Sequence, residues 1–425
     1  MMKNTIRYSL SMFMLFISIL ATDAQIYIEK QTRHRFAQMT LGIDGSVGIG
    51  GSTTYLDQGG NRQTLNFAPT LTPRFIIGGT HFWGHADFLI AIPLFGTTQT
   101  TNNQTISSIT GVETIFKYYP WRIENNKLRP YVGVSLAPFN FSQDNNNFEF
   151  SKGPSKNLTR LPLVAGVSFN RKNLIFEAGV LYNYNNSIDY HISRSQTAKV
   201  NMQAVSFNVT AKYLMETTIS AEKDWESGKT KDLTEKLAKL GKLNAWFIGV
   251  GLSSAWWLKD SEYNQDNRAY LPIYDTNIML DYTAGYYFHK PDLDISLNYR
   301  GYTGRTEAYG TKQSARRRSV ALELKKYLFD YQGFVPFIGP IASYEAMKFV
   351  EVHEDDPRLE FADQQFAYGV TFGWDIRPNR LQGFLLRTNL RYFPNLNLPV
   401  GGKVISYDNI EFNFIQLVVF PGRIF

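Results

Sequence analysis

From about residue 36 onward, apolar and polar positions alternate with a period of two. Val205-Phe207-Val209-Ala211-Tyr213 is interleaved with Ser206-Asn208-Thr210-Lys212. Leu293-Ile295-Leu297-Tyr299 is interleaved with Asp294-Ser296-Asn298-Arg300, and Phe384-Leu386-Thr388-Leu390-Tyr392 with Leu385-Arg387-Asn389-Arg391. Such runs place an apolar row on one face of a strand and a polar row on the other. Sixteen candidate strands follow, starting near Phe36, Thr64, His85, Ser107, Leu128, Leu158, Asn173 and Lys199. The second set starts near Leu243, Tyr274, Asp292, Ala315, Phe334, Phe361, Leu381 and Ser406. Each spans roughly 11 to 17 residues, well above the about five or six of an ordinary soluble sheet.

The connections alternate between long and short. Gly51–Arg62, Gly96–Ile106, Gln143–Asn157 and Asn185–Ala198 are long and polar. Between them lie tight turns at His81-Phe82-Trp83-Gly84, Glu124-Asn125-Asn126-Lys127 and Arg171-Lys172. The second half repeats the scheme with turns at His289-Lys290-Pro291, Tyr331-Gln332-Gly333 and Arg377-Pro378-Asn379-Arg380. A soluble sandwich has no reason for this asymmetry, whereas transmembrane barrels join their strands by short turns at one end and long loops at the other.

Composition narrows the class further. The 425 residues are 15% aromatic and only 19% charged, and they contain no cysteine. Disulfides, thiol nucleophiles, thiolate metal sites and lipid attachment at an N-terminal cysteine are thereby excluded. The balance of 44 basic against 37 acidic residues is spread along the chain and predicts no nucleic-acid partner. The mean hydropathy is −0.25, and no stretch beyond the N-terminus has the 18 apolar residues of a spanning helix. Residues 1–24 read as a secretory signal peptide. Lys3 and Arg7 form its basic start, Leu10 to Ala21 its short apolar core, and Thr22-Asp23-Ala24 its small-residue cleavage site.

The chain ends on the alternating run Ile410 to Phe420, followed by Pro421-Gly422-Arg423-Ile424-Phe425. Aromatics crowd the strand ends at Tyr118, Tyr119 and Trp121, at Tyr286, Tyr287 and Phe288, and at Tyr392 and Phe393. On these features the mature chain resembles the bacterial (Gram-negative-type) outer-membrane β-barrel superfamily. The resemblance implies an all-β antiparallel transmembrane barrel in the cell outer membrane. It also implies a terminal aromatic strand read by the barrel-assembly machinery during insertion, and contact with outer-membrane lipid and lipopolysaccharide.

The two halves match each other in order. Gly42-Ile43 answers to Gly249-Val250, Lys117-Tyr118 to Lys326-Tyr327, and Pro130-Tyr131-Val132-Gly133 to Pro336-Phe337-Ile338-Gly339. Gly166 to Phe169 answers to Gly369 to Phe372, and Phe207-Asn208 to Phe412-Asn413, all at offsets between 203 and 209. The expected organisation is a signal peptide over 1–24, an eight-stranded repeat over 25–215, a linker over 216–242 and a second eight-stranded repeat over 243–425. Each repeat resembles an OmpA-like or OmpX-like eight-stranded barrel domain. Asp232 and Glu235 read as a capping box opening a linker helix, Leu233, Leu237 and Leu240 as its stripe, and Gly241 as its stop. A linker this long favours two tandem barrels, and the small first-strand rows (Thr40, Gly42, Asp44, Ser46, Gly48; Gly249, Gly251, Ser253) suit tight interiors. The alternative is one sixteen-stranded barrel.

On the alternation, the lumen-facing charges are Glu113, Lys117, Glu177 and Lys212 in the first half. In the second they are Asp294, Arg300, Glu323, Lys325, Arg387, Arg391 and Glu411. In a narrow barrel they form a paired network; in a wide one, a selective constriction. Arg316-Arg317-Arg318 is a candidate contact for lipopolysaccharide phosphates, since the guanidinium fork fits phosphate oxygens. His191 with Ser193 lacks an orienting third group for nucleophilic chemistry, and His81, His85 and His289 fall in short turns. Glu351-Val352-His353-Glu354-Asp355-Asp356 reads as a solvated loop in preference to a cation site. No catalytic residue, metal site or cofactor is expected. The leading expectation is a non-enzymatic structural or accessory protein acting through its loops or linker. A general diffusion porin follows, and then a lipid-modifying barrel enzyme.

Overall fold

The computed structural model describes residues 36–57, 59–101, 104–145, 153, 155–216, 229–258, 260–276, 278–354, 356–377, 383–394, 396–407 and 409–424. Residues 1–24, read above as a signal peptide, residues 217–228 of the linker and most of the turn after Arg377 lie outside these. Sixteen antiparallel strands form the walls, from 6 residues in the shortest to 20 in the longest, a wider spread than the expected 11 to 17. The first eight are β1 (Ala37–Gly48), β2 (Thr70–His81), β3 (Ala86–Pro93), β4 (Glu113–Tyr118), β5 (Leu128–Asn145), β6 (Leu163–Arg171), β7 (Leu174–Tyr182) and β8 (Val205–Glu216). The second eight are β9 (Ala245–Trp257), β10 (Met279–Phe288), β11 (Leu293–Ala308), β12 (Thr311–Tyr327), β13 (Phe334–His353), β14 (Leu359–Ile376), β15 (Phe384–Tyr392) and β16 (Asn409–Val419).

Each set of eight closes on itself. β8 returns to β1 with Thr210 opposite Asp44, and β16 returns to β9 with Glu411 opposite Ala255. A single sixteen-stranded barrel would pair β8 with β9 and β16 with β1, and the described strands do neither. The wide-barrel alternative is therefore wrong, because every closing edge is already satisfied within its own half.

The outward faces of both rings are apolar and exposed: Ile43, Phe75, Val167, Phe207 and Val209 on the first, and Ile248, Leu297, Leu322, Ile338 and Phe372 on the second. The inward faces carry the buried charges. This inversion of the soluble pattern is what a barrel spanning hydrocarbon requires. Among the described residues no helix is long and apolar enough to cross a membrane.

The long loops fold back on the barrels. Over the first, the strands Ser52–Leu56, Arg62–Asn66, Ser187–His191 and Thr197–Asn201 form a small sheet. Leu56, Tyr190, Ile192, Val200 and Met202 of this sheet pack with Phe139 and Phe141 of the wall. Over the second, the hairpin Asn397–Val400/Lys403–Ser406 buries Leu398, Val400 and Ile405 against Met347, Phe349 and Trp257. The short helix α2 (Glu262–Asn267), capped by the Ser261 hydroxyl, lies beside this hairpin.

The linker helix α1 spans Lys229–Lys239. It begins three residues before Asp232, which therefore sits in the first turn and acts on the helix dipole instead of capping the end. Its stop is at Gly241, whose φ of +67° allows Lys242 and Gly241 to donate to the carbonyls of Leu237 (2.8 Å) and Ala238 (3.0 Å). Of the stripe, Leu237 is buried, Leu233 half-buried and Leu240 exposed.

The barrels stand side by side in the same orientation: the turn at Phe82–Gly84 meets the turn before Phe334, and the long-loop end of the first meets the opposite end of the second. There, against the expected long loops, β11 and β12 are joined by only Tyr309-Gly310 and β13 and β14 by residues 354–358. At one end Phe82 packs on Phe334 (centroids 5.2 Å apart), and Phe36 lies near Tyr331 (6.0 Å). Just above that contact Phe88 meets Trp374 at 5.3 Å, and farther along the strands Trp256, Phe412 and Phe414 are buried against Ile90 and Leu136. At the long-loop end Arg194 donates to the Tyr309 carbonyl at 2.6 Å and pairs with Glu354, while Asn157 donates to the Ile273 carbonyl at 2.8 Å. Because the chain has no native cysteine, this seam is readily tested. Oxidation of the Phe88→Cys/Trp374→Cys double variant in membranes should protect both thiols from maleimide. Full labelling of both after oxidation would mean that the barrels do not dock along this seam.

Candidate functional site

Period two sends alternate side chains of each strand into the bore, and an eight-stranded ring leaves room only for those side chains. Whatever charge enters must meet another. In the first barrel it does so at two levels. Near the short-turn end Lys212 Nζ lies 2.6 Å from Asp87 and 2.7 Å from Glu177. Lys117 is 2.6 Å from the other Glu177 oxygen. Tyr119 donates to both carboxylates, and the Arg129 guanidinium covers the Tyr119 ring at 3.9 Å. Nearer the long loops Arg74 joins Asp44 at 2.5 Å and Glu113, with Ser135 donating to Glu113 and Thr210 to Asp44. Ile76, Leu89, Ile115 and Val164 form a dry layer between the two levels.

The second barrel is filled more densely. Arg387 bridges Asp294 (2.9 Å) and Asp375 (2.8 Å), while Lys325 spans Glu323 (2.9 Å) and Asp294 (3.5 Å). Arg391 joins Asp281 (2.5 Å) to Glu323 (2.6 Å). Above them Arg317 binds Glu345 at 2.7 Å and Glu411 at 2.8 Å, and Arg300 completes the Glu411 pair. Arg377 lies below, 3.8 Å from Asp375. Apolar floors and ceilings bound this column. Phe247, Tyr287, Phe337, Leu385 and Phe420 pack at the short-turn end, where Ile424 of the terminal helical turn Pro421–Ile424 lies against Gly383. The loop hairpin described above covers the other end.

Every charge expected to face the lumen is buried there: Glu113, Lys117, Glu177 and Lys212, and Asp294, Arg300, Glu323, Lys325, Arg387, Arg391 and Glu411. Asp87, Arg74, Arg129, Asp281, Glu345, Asp375 and Arg377 complete the networks and escaped the sequence reading, although strand alternation alone places most of them. Arg317 is a correction. The triplet reads in sequence as one lipid contact, but the Arg317 side chain is wholly buried in the lumen while Arg316 and Arg318 are exposed. Three consecutive residues of a strand cannot share a face.

The remaining candidates hold structural contacts. Ser193 Oγ accepts from the Gln196 N–H at 2.9 Å and caps its hairpin turn, and the His191 carbonyl receives the Tyr309 hydroxyl. Glu351 does not belong to a loop cluster: it points inward to Arg268 at 2.9 Å and Gln313 at 2.6 Å. His85 and His289 occupy short turns, and burial holds both imidazoles below the ordinary histidine pKa. Among the described residues no His, Asp and Glu cluster has the geometry of a metal site.

The chain is loosely similar to several solved outer-membrane proteins. It aligns over 90% of its length with 97% of OmpT, an outer membrane protein of Vibrio cholerae, at 10% identity and a TM-score of 0.17. The transport unit of the autotransporter AIDA-I from Escherichia coli aligns over 90% of each chain at 9% identity and a TM-score of 0.22. An outer membrane channel from Pseudomonas putida F1 aligns over 90% of this chain and 95% of that one, at 8% identity and a TM-score of 0.18. Superpositions this loose carry no argument, so the fold rests on the pairings above. No protein-family model and no curated relative matches the chain.

Removing one partner of a buried pair strands the other's charge. Arg387→Ala should therefore destabilise the second barrel by about 3–5 kcal/mol in equilibrium unfolding from detergent. Lys127→Ala, at the exposed pair with Glu124, should shift the midpoint far less. Equal shifts would show that the lumen is hydrated enough to screen its charges.

Proposed function

We propose that this chain is an exported outer-membrane protein with a structural or accessory role. It neither conducts solutes nor catalyses a reaction, and it presents its loops and linker helix to partners. The observation that carries this reading is the filling of both bores. Charges inside are matched by opposite charges, apolar layers lie above and below them, and side chains occupy the space a diffusion channel would need. The short-turn ends with α1 then face the periplasm, and the long loops face outward.

A tandem duplication explains the two halves. Each sequence match falls on the same ordinal strand of its barrel: first, fourth, fifth, sixth and eighth. Gly133 and Gly339 share even their packing role. A Cβ on Gly133 would run into the Phe116 carbonyl oxygen, and one on Gly339 into that of Leu324. In both barrels the fifth strand thus crosses the fourth where only glycine fits. The boundaries proposed are 25–215 and 243–425, joined by 216–242.

Single-channel recording tests the reading. Purified, heat-modifiable protein inserted in planar bilayers should give no stepwise conductance. Stable, ohmic openings in the unmodified protein would replace the accessory role with a channel.

A further inference from the structure

Two cations on the outside of the second barrel take no part in the lumen networks. Arg316 and Arg318 stand exposed on the outward face of β12, directly above Val320, Leu322 and Leu324 on the same face. The strand register orders their surroundings into rows. Tyr299, Val320, Tyr344 and Phe366 form one continuous row across β11 to β14. The next row toward the loops is Gly301, Arg318, Ala346 and Gln364, and the one beyond it is Thr303, Arg316, Lys348 and Ala362. The aromatic row is well exposed, with Phe366 at 73% and Tyr368 on the same strand at 72%.

Three features of these rows point to a bound anion. First, Arg316 faces Lys348 directly across the strand pair, and since Glu360 already pairs with Lys348, the Arg316 charge is left without a counterpart beside a like charge. Second, neither Arg316 nor Arg318 has a carboxylate partner among the described residues; Glu360, on the same face of β14, is taken by Lys348 and Arg358. Third, the cross-strand neighbours of Arg318 are small (Gly301 and Ala346), and Arg316 has Thr303 on its other side, so no bulky side chain covers either guanidinium from its own row. The position then selects the kind of anion. The cations lie one and two rows above an exposed aromatic band, at the long-loop end, and the apolar surface of Leu322, Leu324, Val370 and Phe372 continues below. Aromatic bands mark the depth of lipid headgroups.

We propose that this face of β11 to β14 binds a phosphorylated glycolipid of the outer leaflet. Arg316 and Arg318 would take its phosphate oxygens, Lys348 would add charge, and the acyl chains would lie on the apolar strip beneath. Arg317, held inside by Glu345 and Glu411, plays no part. The proposal rests on the outer-membrane orientation argued above.

The test measures binding of bis-phosphorylated lipid A to the full chain in detergent by native mass spectrometry. The Arg316→Gln/Arg318→Gln double variant is compared with an Arg62→Gln control elsewhere on the loops. Losing two charge-assisted contacts should weaken binding about tenfold or more in the double variant only. Lipid A lacking its phosphates should bind both proteins weakly and alike. Equal affinity of wild type and double variant would overturn the proposal. So would displacement of the lipid by millimolar inorganic phosphate, which would make this a free-anion site. Heat-modifiable folding and resistance to urea extraction from liposomes are scored separately for each protein. Failure of those in the wild type would overturn the orientation beneath the proposal, whereas insertion without phosphate-dependent binding would overturn the lipid site alone.

Discussion

Arg387, held between Asp294 and Asp375, represents the constraint on which both barrels depend. A ring of eight strands is too narrow for water to solvate what points inward, so any inward charge must meet its counterpart within the ring. That requirement accounts for the layered lumens, in which arginine and lysine from one wall reach carboxylates on another. It also accounts for the hydroxyl and phenol donors that take up remaining acceptors, such as Ser135 on Glu113 and Tyr327 on Asp294. The outer surface answers to the opposite constraint, since a face in contact with hydrocarbon cannot hold unpaired polar groups.

Pairing inside each ring also removes any reason for the halves to merge. With β1 joined to β8 and β9 to β16, neither ring offers an edge. The barrels associate instead through side chains: aromatic packing from Phe82 to Trp374 through the apolar depth, and Arg194 with its partners among the loops. Within a bilayer such a seam is held by van der Waals fit and a few polar contacts, because lipid competes equally well for apolar surface. The loop contacts therefore carry much of the specificity of docking. The folded-back loops turn each long-loop end into a packed apolar lid, so the exposed chemistry left for recognition lies on loop rims, on α1 and on the outward basic rows of β12.

Much of this was legible in the residues themselves. Alternation, the long–short rhythm of connections and the order of the internal matches together specify antiparallel strands, their number and their facing. Each is a local property, since a strand's two faces follow from backbone geometry alone. The same alternation places Asp281, Arg317, Glu345 and Asp375 in the lumen. Reading Arg316-Arg317-Arg318 as one basic patch overlooked it, and the error was one of treating composition as if it were geometry. The helix start at Lys229 was missed for a related reason: Asp232 suits a cap and a first turn equally well, and only the backbone distinguishes them.

What remained for the tertiary structure was pairing at a distance. Whether β8 meets β1 or β9 depends on contacts more than 150 residues apart, and both closures satisfy the same local pattern. The identities of ion-pair partners are likewise undecided by the local pattern, because an inward arginine says nothing about which of the opposing carboxylates it will reach. The docking of the two barrels, the folding of long polar loops into apolar lids and the row of like charges from Arg316 to Lys348 belong to the same class. The residues along the chain determined which face each side chain takes. Register and closure, set by the hydrogen-bond ladder between distant strands, decided what it meets there.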